Sequence, residues 1–401
     1  MAGSSSKSFA TKAVHVARDP KKQHGCVNNG IFQSSTLVFD TYEDFIFADR
    51  IYYNKEKLNV RQRTYGRNGT ETIFDCEEAI AELYGANYAK MTSCGYSAIL
   101  VALNAFCYAG AHVLMSDGVY GPTRSLLQKT LARYGVEYTF YHPTISIKEL
   151  ENLIKPNTKV IYMESPSSLT FEVQDVVSIV KLARKYNINT ILDNTFFTSY
   201  YFKPFEYDVD VIVEACTKYF SGHSDIMAGV VVFNENLSNK IITSYREIGA
   251  NTTAINAYYV LRGIRTLKVR LDAHKIAVDE VIEAIKGHER ITNVLHPSQK
   301  TIPGHEFFKK QCTGYTSLFS IVLDKNYSHK VMSKFFNRLQ YFGIGYSWGG
   351  YESLVIQFPD DLAKMRISSL IGSENTCVRV YIGLEDTKDL IQDLKTSLDL
   401  L

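Results

Sequence analysis

From about residue 72 to residue 233 the chain alternates short, largely apolar runs with longer amphipathic ones, and this alternation most restricts its fold. The apolar runs fall at 112–115, 159–163, 190–192, 209–213 and 229–233, each too short for a core helix. Between or before them, helical spacing marks 71–84, 98–107, 146–154 and 177–186. The first of these carries Ile73, Phe74, Ile80 and Leu83 on one face and stops at Gly85, while the second is ended by Gly110. Strands apolar on both faces and separated by helices of this length predict a mostly parallel sheet covered on each side, an α/β fold.

The pattern differs on either side of this block. The first 60 residues are polar and irregular, with scattered aromatics, and read as an arm rather than a domain. Beyond about 255 comes a long helical stretch at 255–286, then strand-like segments at 317–323 and 377–382 and helices at 329–339 and 388–398. The expected organisation is an arm over 1–60, a large domain over 61–255 and a smaller C-terminal α+β domain over 256–401. Internal repeats and low-complexity segments are absent from the sequence.

Composition removes several function classes. Forty-four Lys and Arg against 42 Asp and Glu leave a formal charge of +2, so net charge supports neither a nucleic-acid nor an anionic-membrane partner. Seven cysteines, an odd number without a C-x-x-C pair, speak against a disulfide framework and a structural zinc site, and the ten histidines lack ligand spacing, so no metal is expected. Free thiols in a reducing compartment are the simpler reading. The start lacks the apolar segment of a secretory signal, and no run of about 18 apolar residues occurs, so a cytoplasmic location without a membrane partner is expected.

Two strand ends carry the chemistry. Lys218 lies in the small, polar run Ala215-Cys216-Thr217-Lys218-Tyr219 that follows the 209–213 strand, and Asp193 closes the 190–192 strand. Alone, the lysine reads as a solvated surface residue and the aspartate equally as a helix cap. Together, at the carboxyl ends of strands in an open α/β sheet, they stand where ligands bind. An amine and a carboxylate so placed suit pyridoxal 5'-phosphate: the lysine forms the Schiff base and the aspartate keeps the pyridine nitrogen protonated. Ser93-Cys94-Gly95-Tyr96-Ser97, leading into an apolar helix, offers free N–H groups for a phosphate, though any capped helix looks similar. Tyr120, after the 112–115 strand, is placed to stack on a flat ring, although the chain has 27 tyrosines.

The motifs in order resemble the pyridoxal-phosphate enzymes of cysteine and methionine metabolism. The likeness spans Asn28 to Thr36, Tyr65-Gly66-Arg67-Asn68-Gly69-Thr70, the Ser93–Ala98 turn and Glu164-Ser165-Pro166-Ser167. It continues through Asp193-Asn194-Thr195, Thr217-Lys218-Tyr219 with Gly222-His223-Ser224-Asp225, and Leu261-Arg262-Gly263-Ile264-Arg265-Thr266-Leu267. It ends with Ser347-Trp348-Gly349-Gly350-Tyr351-Glu352-Ser353-Leu354 and Arg379-Val380-Tyr381-Ile382-Gly383-Leu384-Glu385-Asp386. Each motif is weak alone, and their order is specific. The resemblance implies the aspartate-aminotransferase-like fold of type I pyridoxal-phosphate enzymes, with an N-terminal arm contacting a neighbouring subunit and tetramers built from dimers that share active sites. It further implies Lys218 as the Schiff-base lysine, Asp193 as the pyridinium partner and Tyr120 on the ring. Gly95, Tyr96 and the Thr217 hydroxyl would cradle the phosphate, with Tyr65 and Arg67 reaching it from the neighbour. Arg379 would take the substrate carboxylate, beside Ser347, Trp348 and Tyr65 in the substrate pocket.

Several positions depart from the common pattern. Ala215 stands where many relatives carry serine three residues before the lysine, so one phosphate contact is in doubt. Trp348 replaces a leucine, Pro122 follows Gly121, and Ser167-Ser168-Leu169 stands where Ser-Asn-Pro is common. The Trp348, Tyr120-Gly-Pro-Thr and Glu164-Ser-Pro-Ser-Ser-Leu-Thr features look most like the bacterial cystathionine β-lyases. The implied reaction is α,β-elimination of L-cystathionine to homocysteine, pyruvate and ammonia, in methionine biosynthesis, with Lys218 moving the Cα proton and Tyr120 assisting. γ-Synthase, γ-lyase, methionine γ-lyase and cysteine desulfhydrase chemistry remain open, as does an inactive regulatory protein on the same fold. Cys94 and Cys216 read as small core-type residues, and His223 as a structural hydrogen-bond donor.

Overall fold

In the computed structural model, which describes residues 7–53, 61, 63–359, 362, 366, 370–371 and 374–401, seven strands form the large sheet. They are β1 (Tyr88–Thr92), β2 (His112–Ser116), β3 (Glu137–Tyr141), β4 (Thr158–Glu164), β5 (Asn189–Asp193), β6 (Val211–Glu214) and β7 (Gly229–Phe233). Their order is β1-β7-β6-β5-β4-β2-β3. β2 to β6 pair in parallel, and β7 runs antiparallel to both β6 and β1. The alternation along a strand divides its side chains between two cores: Ile161 and Met163 of β4 enter one, Val160 and Tyr162 the other. Both faces are therefore packed, as the apolar runs require.

The smaller domain holds β8 (Ile291–Leu295), β9 (Leu318–Leu323), β10 (Gly343–Ile344), β11 (Leu354–Gln357) and β12 (Cys377–Tyr381), ordered β10-β11-β12-β9-β8. β12 is antiparallel to both neighbours and sits at the centre. Helices Leu267–Ile285, His329–Arg338 and Thr387–Leu398 cover one face, through Val278, Phe335 and Leu394 among others.

Three differences from the sequence expectation have physical causes. The stretch expected as one helix at 255–286 is two, Ala254–Arg265 and Leu267–Ile285, parted at Thr266. Gly263 explains where the first must lie, because a Cβ there would come within 2.1 Å of the Phe220 carbonyl oxygen. That helix thus packs directly on the main chain just beyond Lys218. The expected arm is not uniform. Helix Phe9–His15 docks on the body, with Ala13 buried and the Arg265 guanidinium donating to the carbonyls of Ala13 and Val16 at 2.9 Å each. Residues 1–6 and 54–60 of that arm lie outside the described residues. Finally, β1 and β3 carry no fully apolar run: β1 buries Lys90 against Glu77, and β3 is an edge strand with Glu137 and Tyr138 exposed. Among the described residues no helix is long and apolar enough to cross a membrane.

Candidate active site

The parallel strands β2, β4, β5 and β6 share one carboxyl end of the sheet, and each ends in or beside an acid: Asp117, Glu164, Asp193 and Glu214. Lys218 follows β6 in a succession of tight turns, with its N–H on the Ala215 carbonyl at 3.0 Å and the Gly222 N–H on its own carbonyl at 2.8 Å. Its amine donates to Ser347 Oγ at 2.6 Å and lies 5.2 Å from the centre of the Trp348 ring. The carbonyl of Ser347 in turn accepts from Arg379 Nη2 at 3.1 Å. Four residues expected at the site from distant parts of the sequence, Lys218, Ser347, Trp348 and Arg379, are thus joined directly. Burial, then the Arg379 charge, lowers the Lys218 amine to about 8, with Asp193 opposing. Arg379, on β12, is itself pulled to about 10 by burial.

This junction depends on unusual backbone. Gly349 has φ +91°, and a Cβ on it would fall 2.7 to 2.9 Å from the C, Cα and Cβ atoms of Lys218. Ser347 adopts φ +86°, a left-handed conformation rare for serine. Ser224 Oγ donates to Glu352 Oε1 at 2.6 Å, which staples the lysine loop to the 347–352 segment once more, and Tyr381 Oη donates to the Gly350 carbonyl at 2.7 Å, which ties that segment to β12. The sequence reading assigned no role to Ser224, Glu352 or Tyr381, although all three lie inside its motifs.

Asp193 is held from the side of the lysine loop. Its Oδ1 accepts from the Thr195 N–H at 3.0 Å and the Thr195 hydroxyl at 2.6 Å, and Thr195 Oγ1 accepts from the Ala215 N–H at 2.9 Å. Burial raises its pKa, while the two bonds from Thr195 and the Lys218 charge hold it down. Glu164 is its in-register neighbour on β4 and accepts the Tyr120 N–H at 2.7 Å. Tyr120 is half-exposed, and its hydroxyl is raised by burial and by Glu164, with Arg379 opposing.

Helix Gly95–Asn104 begins at Cys94 without a side-chain cap, leaving its first-turn N–H groups for an external anion. A Cβ on Gly95 would sit 2.7 Å from the Ala215 Cβ, so the glycine lets this helix start close on the lysine loop. The Thr217 hydroxyl accepts from the Ala228 N–H at 3.0 Å and donates to its carbonyl at 3.1 Å, which fixes it to the start of β7. Tyr65 and Arg67 are not brought to this cluster: Tyr65 bridges to Thr36, and Arg67 donates to the Arg246 carbonyl at 2.9 Å. His223 donates to the Ser221 carbonyl at 2.6 Å, a structural bond; Cys216 is fully buried, and Cys94 is half-buried at the helix cap.

A lysine with a lowered pKa, an aspartate oriented by two hydrogen bonds and an uncapped helix start form a donor set that fits pyridoxal phosphate. Among the described residues no group of three or more His, Cys, Asp or Glu is placed to hold a metal ion.

Comparison with known proteins gives the family. Residues 10–399 match the model of a family described as Cys/Met metabolism PLP-dependent enzyme. The chain is 37% identical over 391 residues to a cystathionine beta-lyase of Salmonella typhimurium, covering 97% of each. It is 36% identical over 397 residues to an L-alanine/L-glutamate racemase of Wolbachia pipientis, covering 98% of this chain and 96% of that one. The crystal structure of metB from Corynebacterium glutamicum superposes with a TM-score of 0.86 at 28% identity, over 98% of both chains.

Proposed function

Since the chain belongs to the Cys/Met metabolism PLP-dependent enzymes, a family that uses pyridoxal phosphate, we propose that it is a carbon–sulfur lyase acting by α,β-elimination on L-cystathionine. The products are homocysteine, pyruvate and ammonia. The observation that carries this reading is the junction of Lys218, Ser347 and Arg379 beside Trp348. It sets a proton-accepting amine next to a guanidinium able to bind a carboxylate through two hydrogen bonds.

Pyridoxal phosphate, when bound, supplies an electron sink for charge left at the substrate Cα. Lys218 would hold the cofactor, and its amine is the group that would take the Cα proton and return a proton to the leaving sulfur. A lysine near 8 is partly unprotonated at neutral pH, as a general base must be. Asp193 would hold the ring nitrogen, Tyr120 would cover the ring and help move a proton at the substrate amine, and Arg379 with Ser347 would orient the substrate carboxylate. The first-turn N–H groups at Gly95 and Tyr96 would hold the phosphate, joined by the Thr217 hydroxyl once its proton turns from the Ala228 carbonyl, and Ala215 offers no hydroxyl there. Trp348 bounds the substrate side and favours β- over γ-cleavage.

Tyr65 and Arg67 act across an interface, completing a neighbouring copy's site, which makes the working unit a dimer and the assembly a pair of dimers. Exposed apolar residues at 27–47, with Val38 92% and Phe47 68% exposed, support a surface covered by another copy. The arm, large domain and small domain divide near 60 and 255, and the enzyme works in the cytoplasm.

The test is a product assay on purified protein with L-cystathionine, with Lys218→Ala as control. Pyruvate with homocysteine is expected, and the control should lose turnover and the visible cofactor band. 2-Oxobutyrate with cysteine would mark γ-elimination instead. Racemisation is a second reading, favoured by the 36% identity to the racemase and by the shared first step of Cα deprotonation. D-alanine or D-glutamate formed without pyruvate would select it.

A further inference from the structure

We propose that Glu164 is a positioning residue of this site, tying the main chain of Tyr120 to the strand end that carries Asp193. The proposal rests on the site residues assigned above and adds one to them. Glu164 ends β4 in register with Asp193 at the end of the parallel strand β5. Side chains paired in register on adjacent strands leave the sheet on the same face. Its Oε2 accepts the Tyr120 N–H at 2.7 Å, and that N–H has no other acceptor among the described residues. Tyr120 is the residue that opens helix Gly121–Ser125, so this bond sets where the turn, and with it the ring, stands over the cluster. Glu164 is itself well anchored. Its carbonyl accepts from Gln174 Nε2 at 2.8 Å, and Gln174 Oε1 accepts the Tyr141 hydroxyl at 3.0 Å.

The charged and titratable groups around Glu164 are Asp193 on β5, Tyr162 on its own strand, Tyr120 and Arg366. Burial and the Asp193 charge push the Glu164 carboxyl well above the usual carboxylate range, against the Tyr120 N–H and Arg366. Asp193 has two hydrogen-bond donors and Lys218 on its side, so of these two neighbours Glu164 takes the proton first. Within the pair the proton is thus favoured on Glu164, whose acceptor oxygen serves the Tyr120 N–H with or without a charge. Two like charges at adjacent strand ends would otherwise oppose each other.

The experiment compares wild type, Glu164→Gln and Glu164→Ala, each loaded with pyridoxal phosphate. It measures the cofactor dissociation constant, the pH midpoint of the visible band, kcat and KM. Glu164→Ala should weaken cofactor binding and lower kcat, each by about tenfold, because the ring-covering turn loses its tether. Glu164→Gln keeps a neutral acceptor of the same length; it should bring both to within about threefold of wild type and leave the band's midpoint in place. An alanine variant equal to wild type in both constants, or a glutamine variant as impaired as alanine, overturns the proposal. If the alanine variant does not fold, Glu164→Gln still decides: cofactor binding and kcat within about threefold of wild type are expected, and a loss of about tenfold in either overturns the proposal. A Lys218→Ala protein that keeps the visible band would instead defeat the site assignment itself.

Discussion

At the scale of single residues, what matters is how far burial and neighbours move ordinary groups. Lys218 sits near 8 instead of 10.5, first because it is desolvated and second because Arg379 is close. The sign is the usual one for a buried cation: the ammonium prevails below about 8 and the free amine above it. Acylation of Lys218 in cofactor-free protein, followed by mass spectrometry across pH, should therefore rise with a midpoint near 8. Arg379→Gln should move that midpoint upward without restoring 10.5, since burial remains. A midpoint at 10.5 in the unaltered protein would refute the account. Asp193 drew attention in the sequence because it closes the apolar run Ile191-Leu192 at a strand end. Glu164 closes a longer one, Val160–Met163, and the same signal applied there singles it out. Its tie to Tyr120 spans 44 residues and could not be read from spacing.

At the scale of elements, the site is a joint between the turn after β6 and the segment before β11. Gly349 is the tightest point, because it combines φ +91° with main-chain contact on Lys218. Gly349→Ala should cost about 2 kcal/mol or more in thermal unfolding, and kcat/KM should fall at least about tenfold as the lysine main chain shifts. Unchanged melting and kinetics would mean that the segment rearranges freely. The turn after β6 was found from sequence because a small, polar run interrupts a strongly apolar pattern. β11 and β10 were not, since Leu354–Gln357 is half-buried and Gly343–Ile344 is exposed, and neither offers a fully apolar run. Strands β1 and β3 escaped for the same reason. The break at Thr266 was also hidden, because helical periodicity continues on both sides of it.

At the scale of the whole molecule, we propose that the working site extends beyond one copy. Tyr65 and Arg67 line a cavity of about 390 Å³ together with Ser34 and Asn251, and the exposed apolar residues at 27–47 lie in the preceding part of the chain. Val38→Asp with Tyr42→Asp should convert the assembly to monomers by light scattering. Activity should fall with it, while single-chain stability changes little, because exposed positions usually contribute within about 0.5 kcal/mol. An unaltered mass would remove the arm from the interface. The sequence by itself determined the class of fold, with its mostly parallel sheet, and pointed to Lys218 and Asp193 as the residues proposed to hold the cofactor. Those follow from local periodicity and from residues at strand ends, which chain neighbours specify. Only the tertiary structure decided that Ser347, Trp348 and Arg379 close on Lys218, that Glu164 and Asp193 stand side by side, and that Phe9–His15 belongs to the body. These are contacts between segments tens to hundreds of residues apart, set by sheet register and by glycines that admit close backbone approach, and no local pattern encodes them.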